Sequence, residues 1–121
     1  MKHCLVVDDS SSIRKVARRI LDSIDFRTTE AETRAEALER CRDEMPDCVV
    51  VDWHMPDGDA LAFLAKLRSL PGGDRPKIMY LTSENDEMHV ARALRSGADL
   101  HVMKPFDRDS FLRPFAAAGF A

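Results

Sequence analysis

Five polar residues that could act together chemically end, or directly follow, short apolar runs of the sequence. They are Asp8, Asp9, Asp52, Thr82 and Lys104. In an open sheet of parallel strands, the carboxyl ends of the strands meet along one edge, and ligands bind at that edge. If the apolar runs are strands of such a sheet, the carboxylates, the hydroxyl and the ammonium group converge there.

The three carboxylates indicate a site for a divalent cation. Carboxylates that lie close together repel each other and raise one another's pKa values unless a cation neutralises them. Mg²⁺ prefers oxygen ligands in octahedral geometry and usually keeps several waters. We expect Asp9 and Asp52 to bind Mg²⁺ directly, Asp8 to act mainly through water, and the backbone carbonyl of His54 to complete the protein's share.

The same groups suit phosphoryl transfer onto a carboxylate. A carboxylate that attacks phosphorus forms an acyl phosphate, and negative charge develops on the equatorial oxygens of the transferring group. Mg²⁺, the Lys104 ammonium and the Thr82 hydroxyl could stabilise that charge. We therefore predict that Asp52 is the phosphoacceptor and that Thr82 and Lys104 assist it.

Short β-branched runs alternate with longer segments of helical period, which is typical of a parallel sheet connected by crossover helices. The runs predict strands at residues 4–7, about 27–29, 48–51, 77–81 and about 100–103. Ser10 or Ser11 can cap the first helix, and the apolar face of this helix comprises Ile13, Val16, Ala17, Ile20, Leu21 and Ile24.

Three further helices are predicted up to Pro46, from Ala60 to about Leu67, and over about residues 84–96, where Gly97 ends the last of them. A fifth helix should begin near Asp107 and kink or fray at Pro114, because an interior proline removes a hydrogen bond and clashes with the preceding turn. The pattern predicts a doubly wound α/β fold.

Length and charge restrict the class of protein. The 121 residues suffice for one domain, and the 18 basic and 21 acidic residues give a net charge of only −3. No electrostatic footprint for nucleic acid or anionic membrane follows from this balance. The cysteines at positions 4, 41 and 48 have no metal-binding spacing, and no segment approaches the ~20 apolar residues of a membrane span. We expect a cytoplasmic protein.

Four motifs resemble the receiver domains of response regulators from two-component signalling. They are VVDDS at 6–10, VVVDWHMPDGD at 49–59, YLTSEND at 80–86 and GADLHVMKPF at 97–106. The resemblance implies a CheY-like, flavodoxin-like three-layer sandwich of five βα units, with a parallel sheet in the order 2-1-3-4-5. It also implies that Asp8 and Asp9 are the acidic pair, Asp52 the phosphoacceptor, Thr82 the switch hydroxyl and Lys104 the lysine that contacts the phosphoryl group.

In this family, phosphorylation draws the hydroxyl inward and lets an aromatic residue of the fifth strand rotate. The surface of the fourth helix, fifth strand and fifth helix then changes. His101 occupies the aromatic position, and we expect it to act in switching. Glycines that the family commonly has are absent at Ala60 and near Asp25 and Arg34, so local turns would be strained where φ must be positive.

Several other polar residues have simpler interpretations. Asp57, Asp59 and Asp86 are expected to satisfy turn and helix-cap backbone rather than to bind a ligand. His3 and His89 are expected at the surface.

Other functions remain open at this stage. A degenerate receiver could bind proteins without phosphate. A magnesium-dependent phosphohydrolase would need a second acid two residues after Asp52, where His54 stands, and a flavodoxin relative would need a phosphate loop in place of Asp8 and Asp9.

The resemblance implies a phosphoacceptor rather than an enzyme. We expect a single receiver domain over residues 1–121 without an output domain. Its expected partners are a sensor histidine kinase or histidine phosphotransfer protein and a downstream target protein, with neither nucleic acid nor membrane. We expect a monomer that could dimerise through the surface of its fourth helix, fifth strand and fifth helix.

Overall fold

A computed structural model describes residues 2–55, 58–82, 91–92, 94–95 and 97–119. Within these residues, five parallel strands form one sheet in the order β2-β1-β3-β4-β5, as expected. The strands are β1 (His3–Val7), β2 (Arg27–Ala31), β3 (Cys48–Asp52), β4 (Lys77–Thr82) and β5 (Leu100–Met103). The helices described from end to end are α1 (Ser11–Asp22), α2 (Arg34–Asp43), α3 (Ala60–Ser69) and α4 (Arg108–Ala117).

The helix predicted at residues 84–96 falls largely outside the described residues. Residues 91, 92, 94 and 95 are helical, and Gly97 after them has a φ of 117°, in agreement with its predicted role at the helix end. The fifth helix of the sequence prediction is therefore labelled α4.

Alternating side chains of the strands build a hydrophobic core on each face of the sheet. Leu5, Val49 and Ile78 point to the face covered by α2 and α3, where Leu38 and Leu64 complete the packing. The intervening residues of the same strands point to the opposite face, which α1 and α4 cover; they include Val6, Val50 and Met79, and they pack with Leu21 and Phe115. Every residue of β3 is buried, as expected for a central strand of a parallel sheet.

The helices begin at capping residues that the sequence provides. The Ser10 hydroxyl accepts from the backbone amide of Ile13, and Asp59 accepts from Leu61, which confirms Asp59 as a cap residue. Asp107 and Ser110 form a reciprocal capping box at the start of α4. These caps determine where each helix begins relative to the strand end before it.

One detail of α1 differs from the prediction, and α4 continues past its interior proline. Val16 was assigned to the apolar face of α1, yet 40% of it is exposed, because the packed stripe is carried mainly by Ala17, Ile20 and Leu21. Pro114 does not end α4, which remains helical to Ala117. The amide of Ala118 donates to the Pro114 carbonyl at 3.0 Å, so the last turn is still hydrogen-bonded.

The missing glycines affect the backbone at one place. Asp25 has a φ of 63° and is the one non-glycine residue with positive φ among those described. Arg34 and Ala60 are instead the first residues of α2 and α3. Glycine is therefore not required at either helix start.

Candidate functional site

The carboxyl ends of β1, β3, β4 and β5 form the candidate site. Asp8 follows β1, Asp52 ends β3, Thr82 ends β4 and Lys104 follows β5. Backbone hydrogen bonds continue the sheet into this edge, since the Lys104 amide donates to the Thr82 carbonyl at 2.7 Å and the Trp53 amide donates to Leu81 at 2.8 Å. The sheet therefore fixes the origin of each polar side chain.

The three acids predicted from the sequence come together. One carboxylate oxygen from each of Asp8, Asp9 and Asp52 lies within 4.8 Å of the other two. Asp8 and Asp52 are buried, whereas Asp9 is exposed. Backbone amides hold the two buried carboxylates, because Ser10 donates to Asp8 Oδ1 at 2.9 Å and His54 donates to Asp52 Oδ1 at 3.1 Å.

Lys104 provides the positive charge of the cluster. Its Nζ lies 2.9 Å from Asp8 Oδ2 and 3.3 Å from Asp52 Oδ1. Burial raises the pKa of Asp8, and the Ser10 amide and Lys104 partly oppose that rise. The pKa of Lys104 is raised because its contacts with Asp8 and Asp52 outweigh burial, which by itself would lower it. The ammonium group is therefore firmly charged at neutral pH.

The cluster fits a divalent metal ion. Its donor atoms are carboxylate oxygens, which Mg²⁺ prefers, and Asp9 opens the cluster to solvent. When all three acids are ionised, the single ammonium group of Lys104 leaves two negative charges uncompensated. A divalent cation would neutralise that remainder.

His54 contacts Thr82 through its side chain. Its Nε2 lies 3.1 Å from Thr82 Oγ1, so the hydroxyl is engaged at the rim of the acidic cluster. From the sequence, His54 was expected to offer its backbone carbonyl to the metal, and no contact with Thr82 was predicted. The side-chain contact depends on the path of the chain after β3, which spacing alone does not give.

His101 lies beside Tyr80 rather than among the acids. Their rings stack with centroids 5.0 Å apart and planes inclined by 28°, and the Trp53 ring is also in contact with Tyr80, at a centroid distance of 5.2 Å. Burial lowers the pKa of His101, and its buried Nε2 has no hydrogen-bond partner among the described residues. The neutral imidazole is thus the form that this packing favours.

Two arginines support the site and were not predicted. Arg14 is buried and donates from Nη1 to the Asp8 carbonyl, and its Nε donates to Glu30 at 2.9 Å. Arg34 is also buried and donates to the backbone carbonyls of Asp52 and Trp53. The sequence did contain one indication that Arg34 has a role outside its helix. A basic residue in the first turn of a helix opposes the helix dipole, so its side chain is expected to have a partner elsewhere.

Residues given simpler interpretations are only partly as expected. His3 is buried, contrary to the prediction, because it lies within β1 and its Nε2 contacts Thr29 Oγ1 at 2.8 Å. Asp57, Asp86 and His89 lie outside the described residues.

No helix within the described part of the chain is long and apolar enough to cross a membrane.

Comparison with known proteins places residues 4–115 in a single family, the response regulator receiver domain. The chain is 34% identical over 106 residues to the phosphate regulon transcriptional regulatory protein PhoB of Klebsiella pneumoniae, which covers 87% of the chain and 46% of PhoB. It thus spans about half the length of that relative. The chain is also 32% identical over 111 residues to the chemotaxis protein CheY of Halobacterium salinarum, covering 92% and 91% of the two chains.

The fold agrees with solved structures of the same class. The chemotaxis response regulator CheY4 of Vibrio cholerae superimposes with a TM-score of 0.90 at 26% identity, covering 97% of this chain and 98% of that one. The parallel sheet in the order 2-1-3-4-5 is common to this CheY-like, flavodoxin-like fold. Such a domain is not a classical enzyme. By the family match over nearly its whole length, the chain belongs to the response regulator receiver domains of two-component signalling.

Proposed function

We propose that this chain is a stand-alone receiver that accepts a phosphoryl group on Asp52 from a sensor histidine kinase or a histidine phosphotransfer protein. One observation carries the proposal: the carboxylates of Asp8, Asp9 and Asp52 converge within 4.8 Å, and Lys104 Nζ lies 3.3 Å from Asp52 Oδ1. The likeness to a CheY protein over more than nine-tenths of both chains supports a stand-alone role.

Mg²⁺ is the proposed cofactor of the reaction. Asp9 and Asp52 would bind it directly, Asp8 mainly through water, and the His54 carbonyl would complete the protein ligands. When bound, Mg²⁺ supplies positive charge that neutralises the carboxylates and the phosphoryl oxygens. The oxygen-only donor set and the uncompensated negative charge of the cluster support this assignment.

The chain's own residues position and stabilise the transferring group. An Asp52 oxygen attacks phosphorus as the bond from phosphorus to the donor's histidine nitrogen breaks, and the imidazole leaves with that electron pair. Lys104 already lies against both buried carboxylates, so its ammonium is within reach of the new phosphoryl oxygens. The chain thereby assists its own phosphorylation, and we propose that the same groups assist dephosphorylation.

Thr82 and His101 are the proposed switch residues. In the proposed switch, the Thr82 hydroxyl donates to a phosphoryl oxygen and moves from its present position, 3.1 Å from His54 Nε2. That movement changes the space beside Tyr80, which lies two residues earlier on the same strand and stacks on His101. A shift of His101 would then alter the surface formed by residues 91, 92, 94 and 95, β5 and α4.

This surface is the proposed contact for the downstream target protein. Leu94 and Met103 are large apolar residues exposed there, by 44% and 38%. Apolar groups exposed on such a surface are suited to protein contacts. We propose that the chain is monomeric and cytoplasmic, that its partners are proteins rather than nucleic acid or membrane, and that any dimer uses this surface.

The test is intact-protein mass spectrometry after treatment with acetyl phosphate, with Mg²⁺ or with a chelator. We expect a gain of one phosphoryl group that requires Mg²⁺, is lost in Asp52→Asn and persists in Asp43→Asn, which changes an exposed acid at the end of α2. Labelling of Asp52→Asn at the wild-type rate would contradict the assignment of Asp52. No labelling of the wild type would instead favour a phosphate-independent binding module.

A further inference from the structure

Arg34 makes an unusual set of contacts for the first residue of a helix. It begins α2, but its side chain turns toward the connection between β3 and α3. Nη1 donates to the Gly58 carbonyl at 2.7 Å, and Nη2 donates to the carbonyls of Trp53 at 2.8 Å and Asp52 at 3.2 Å. One guanidinium group therefore ties together the two ends of that connection.

The position is unfavourable for a cation in two respects. Only 3% of Arg34 is exposed, and removing a charged group from water is costly. A positive charge in the first turn of a helix also opposes the helix dipole. Charge-assisted hydrogen bonds to the three carbonyls compensate for these penalties. The contacts of Arg34 thus stabilise the connection after Asp52 rather than α2.

The carbonyls that Arg34 holds are adjacent to the proposed metal site. Asp52 supplies a carboxylate, and the carbonyl of His54 follows directly after the carbonyl of Trp53 in the chain. The His54 amide donates to Asp52 Oδ1 at 3.1 Å, so the orientation of this peptide also orients the carboxylate. Rotation of the peptide between Trp53 and His54 would therefore move both the Asp52 carboxylate and the His54 carbonyl.

We propose that Arg34 is a positioning residue that holds the backbone after Asp52 in the orientation that binds Mg²⁺. The inference rests on the proposed function and adds a residue that touches neither the metal nor the phosphoryl group. Partners that orient metal ligands typically contribute a factor of 10 to 100 in metal affinity. We therefore expect Arg34→Met to weaken Mg²⁺ binding about tenfold.

Arg68 provides a matched control. It also binds several carbonyls, with Nη1 donating to Pro76 at 2.7 Å and to Gly73 at 3.1 Å, and Nε donating to Gly97 at 3.1 Å. It also pairs with Asp99, whose carboxylate accepts from the Ile78 amide near the start of β4, the opposite end of the sheet from the acids. Arg68→Met thus removes a comparable set of contacts away from the site.

The experiment titrates Mg²⁺ by isothermal calorimetry and by Trp53 fluorescence on wild type, Arg34→Met, Arg34→Lys and Arg68→Met. We expect about tenfold weaker binding in Arg34→Met, an intermediate loss in Arg34→Lys, and wild-type affinity in Arg68→Met. Arg34→Lys keeps the charge but has a single nitrogen where arginine presents a fork, so it can restore only part of the set. Should Arg34→Met fail to fold, the Mg²⁺ affinity of Arg34→Lys is compared with that of Arg68→Met instead.

A second readout does not depend on Mg²⁺. Without metal, amide exchange at His54 should be at least tenfold faster in Arg34→Met than in Arg68→Met, because the bond to Asp52 Oδ1 is less well oriented. Unchanged Mg²⁺ affinity or equal His54 exchange in the two variants would overturn the role of Arg34. If the wild type itself binds no Mg²⁺, the proposed magnesium-dependent function is wrong. The wild-type titration thus distinguishes a failure of the proposed function from a failure of the role of Arg34.

Discussion

Replacing Lys104 with methionine should destabilise the fold when Mg²⁺ is absent. At an effective dielectric constant of about 20, unit charges 2.9 Å and 3.3 Å apart attract each other by roughly 6 and 5 kcal/mol, before the desolvation of the ammonium is counted. Removing one partner of a buried ion pair destabilises a protein by about 3–5 kcal/mol. Because 20% of the Lys104 side chain is exposed, we expect the lower end of that range, about 3 kcal/mol.

The loss of stability in Lys104→Met should depend on both Mg²⁺ and pH. Mg²⁺ would neutralise the carboxylates that Lys104 now contacts, so Lys104→Met should bind Mg²⁺ more tightly than wild type does. At a Mg²⁺ concentration 100 times the Kd, binding adds about 2.7 kcal/mol to the free energy of unfolding. Burial already raises the pKa of Asp8, and without Lys104 that pKa should rise further, so lowering the pH should protonate Asp8 and recover part of the stability that is lost at pH 7.

Urea unfolding followed by circular dichroism measures the effect, at pH 5 and pH 7 and with and without Mg²⁺. Lys15→Met, on the exposed side of α1, is the matched control and should stay within about 0.5 kcal/mol of wild type. A loss below about 1 kcal/mol for Lys104→Met at pH 7 without Mg²⁺ would refute the electrostatic reasoning. Equal stabilisation of the variant and wild type by Mg²⁺ would refute the competition between ammonium and metal.

Two further substitutions test local features. Burial lowers the pKa of His101, so its neutral form contributes stability that is fully present above about pH 6.5 and is lost as the pH falls through the lowered value. His101→Phe should therefore unfold at a urea midpoint that exceeds the wild-type midpoint by more at pH 5 than at pH 7.5; a constant difference would contradict the burial argument. At the positive φ of Asp25, Asp25→Gly should be more stable than Asp25→Ala by about 1 kcal/mol in thermal unfolding, and equal stabilities would mean that this turn is not strained.

The sheet and the acidic cluster could be predicted because their signals are local. Each apolar run ends at a polar residue, and parallel strands bring those ends together whatever the loops do. Cys48–Val51 is a clear example, since a strand that is apolar throughout is expected to be buried on both faces. Every residue of β3 is indeed buried.

The rest depends on where side chains point after the strands end. The contact of His54 with Thr82 depends on the direction that the chain takes after β3, and nothing in the spacing of the two residues indicates this direction. Arg34 reaches its carbonyls from a different element 18 residues away from Asp52. Val16 has the right helical spacing for the core of α1, but periodicity does not show how wide a stripe the sheet can cover.

The order of the strands gives the site a gradient of rigidity. Asp52 ends β3, which has a hydrogen-bonded neighbour on each side, whereas Lys104 follows β5, a strand of four residues at the edge of the sheet. Amides of central strands exchange with solvent mainly through global unfolding, while edge elements open locally at a lower free energy. The carboxylate that would receive the phosphoryl group is thus anchored on the least deformable part of the sheet. The lysine beside it belongs to a part that can rearrange while the domain stays folded.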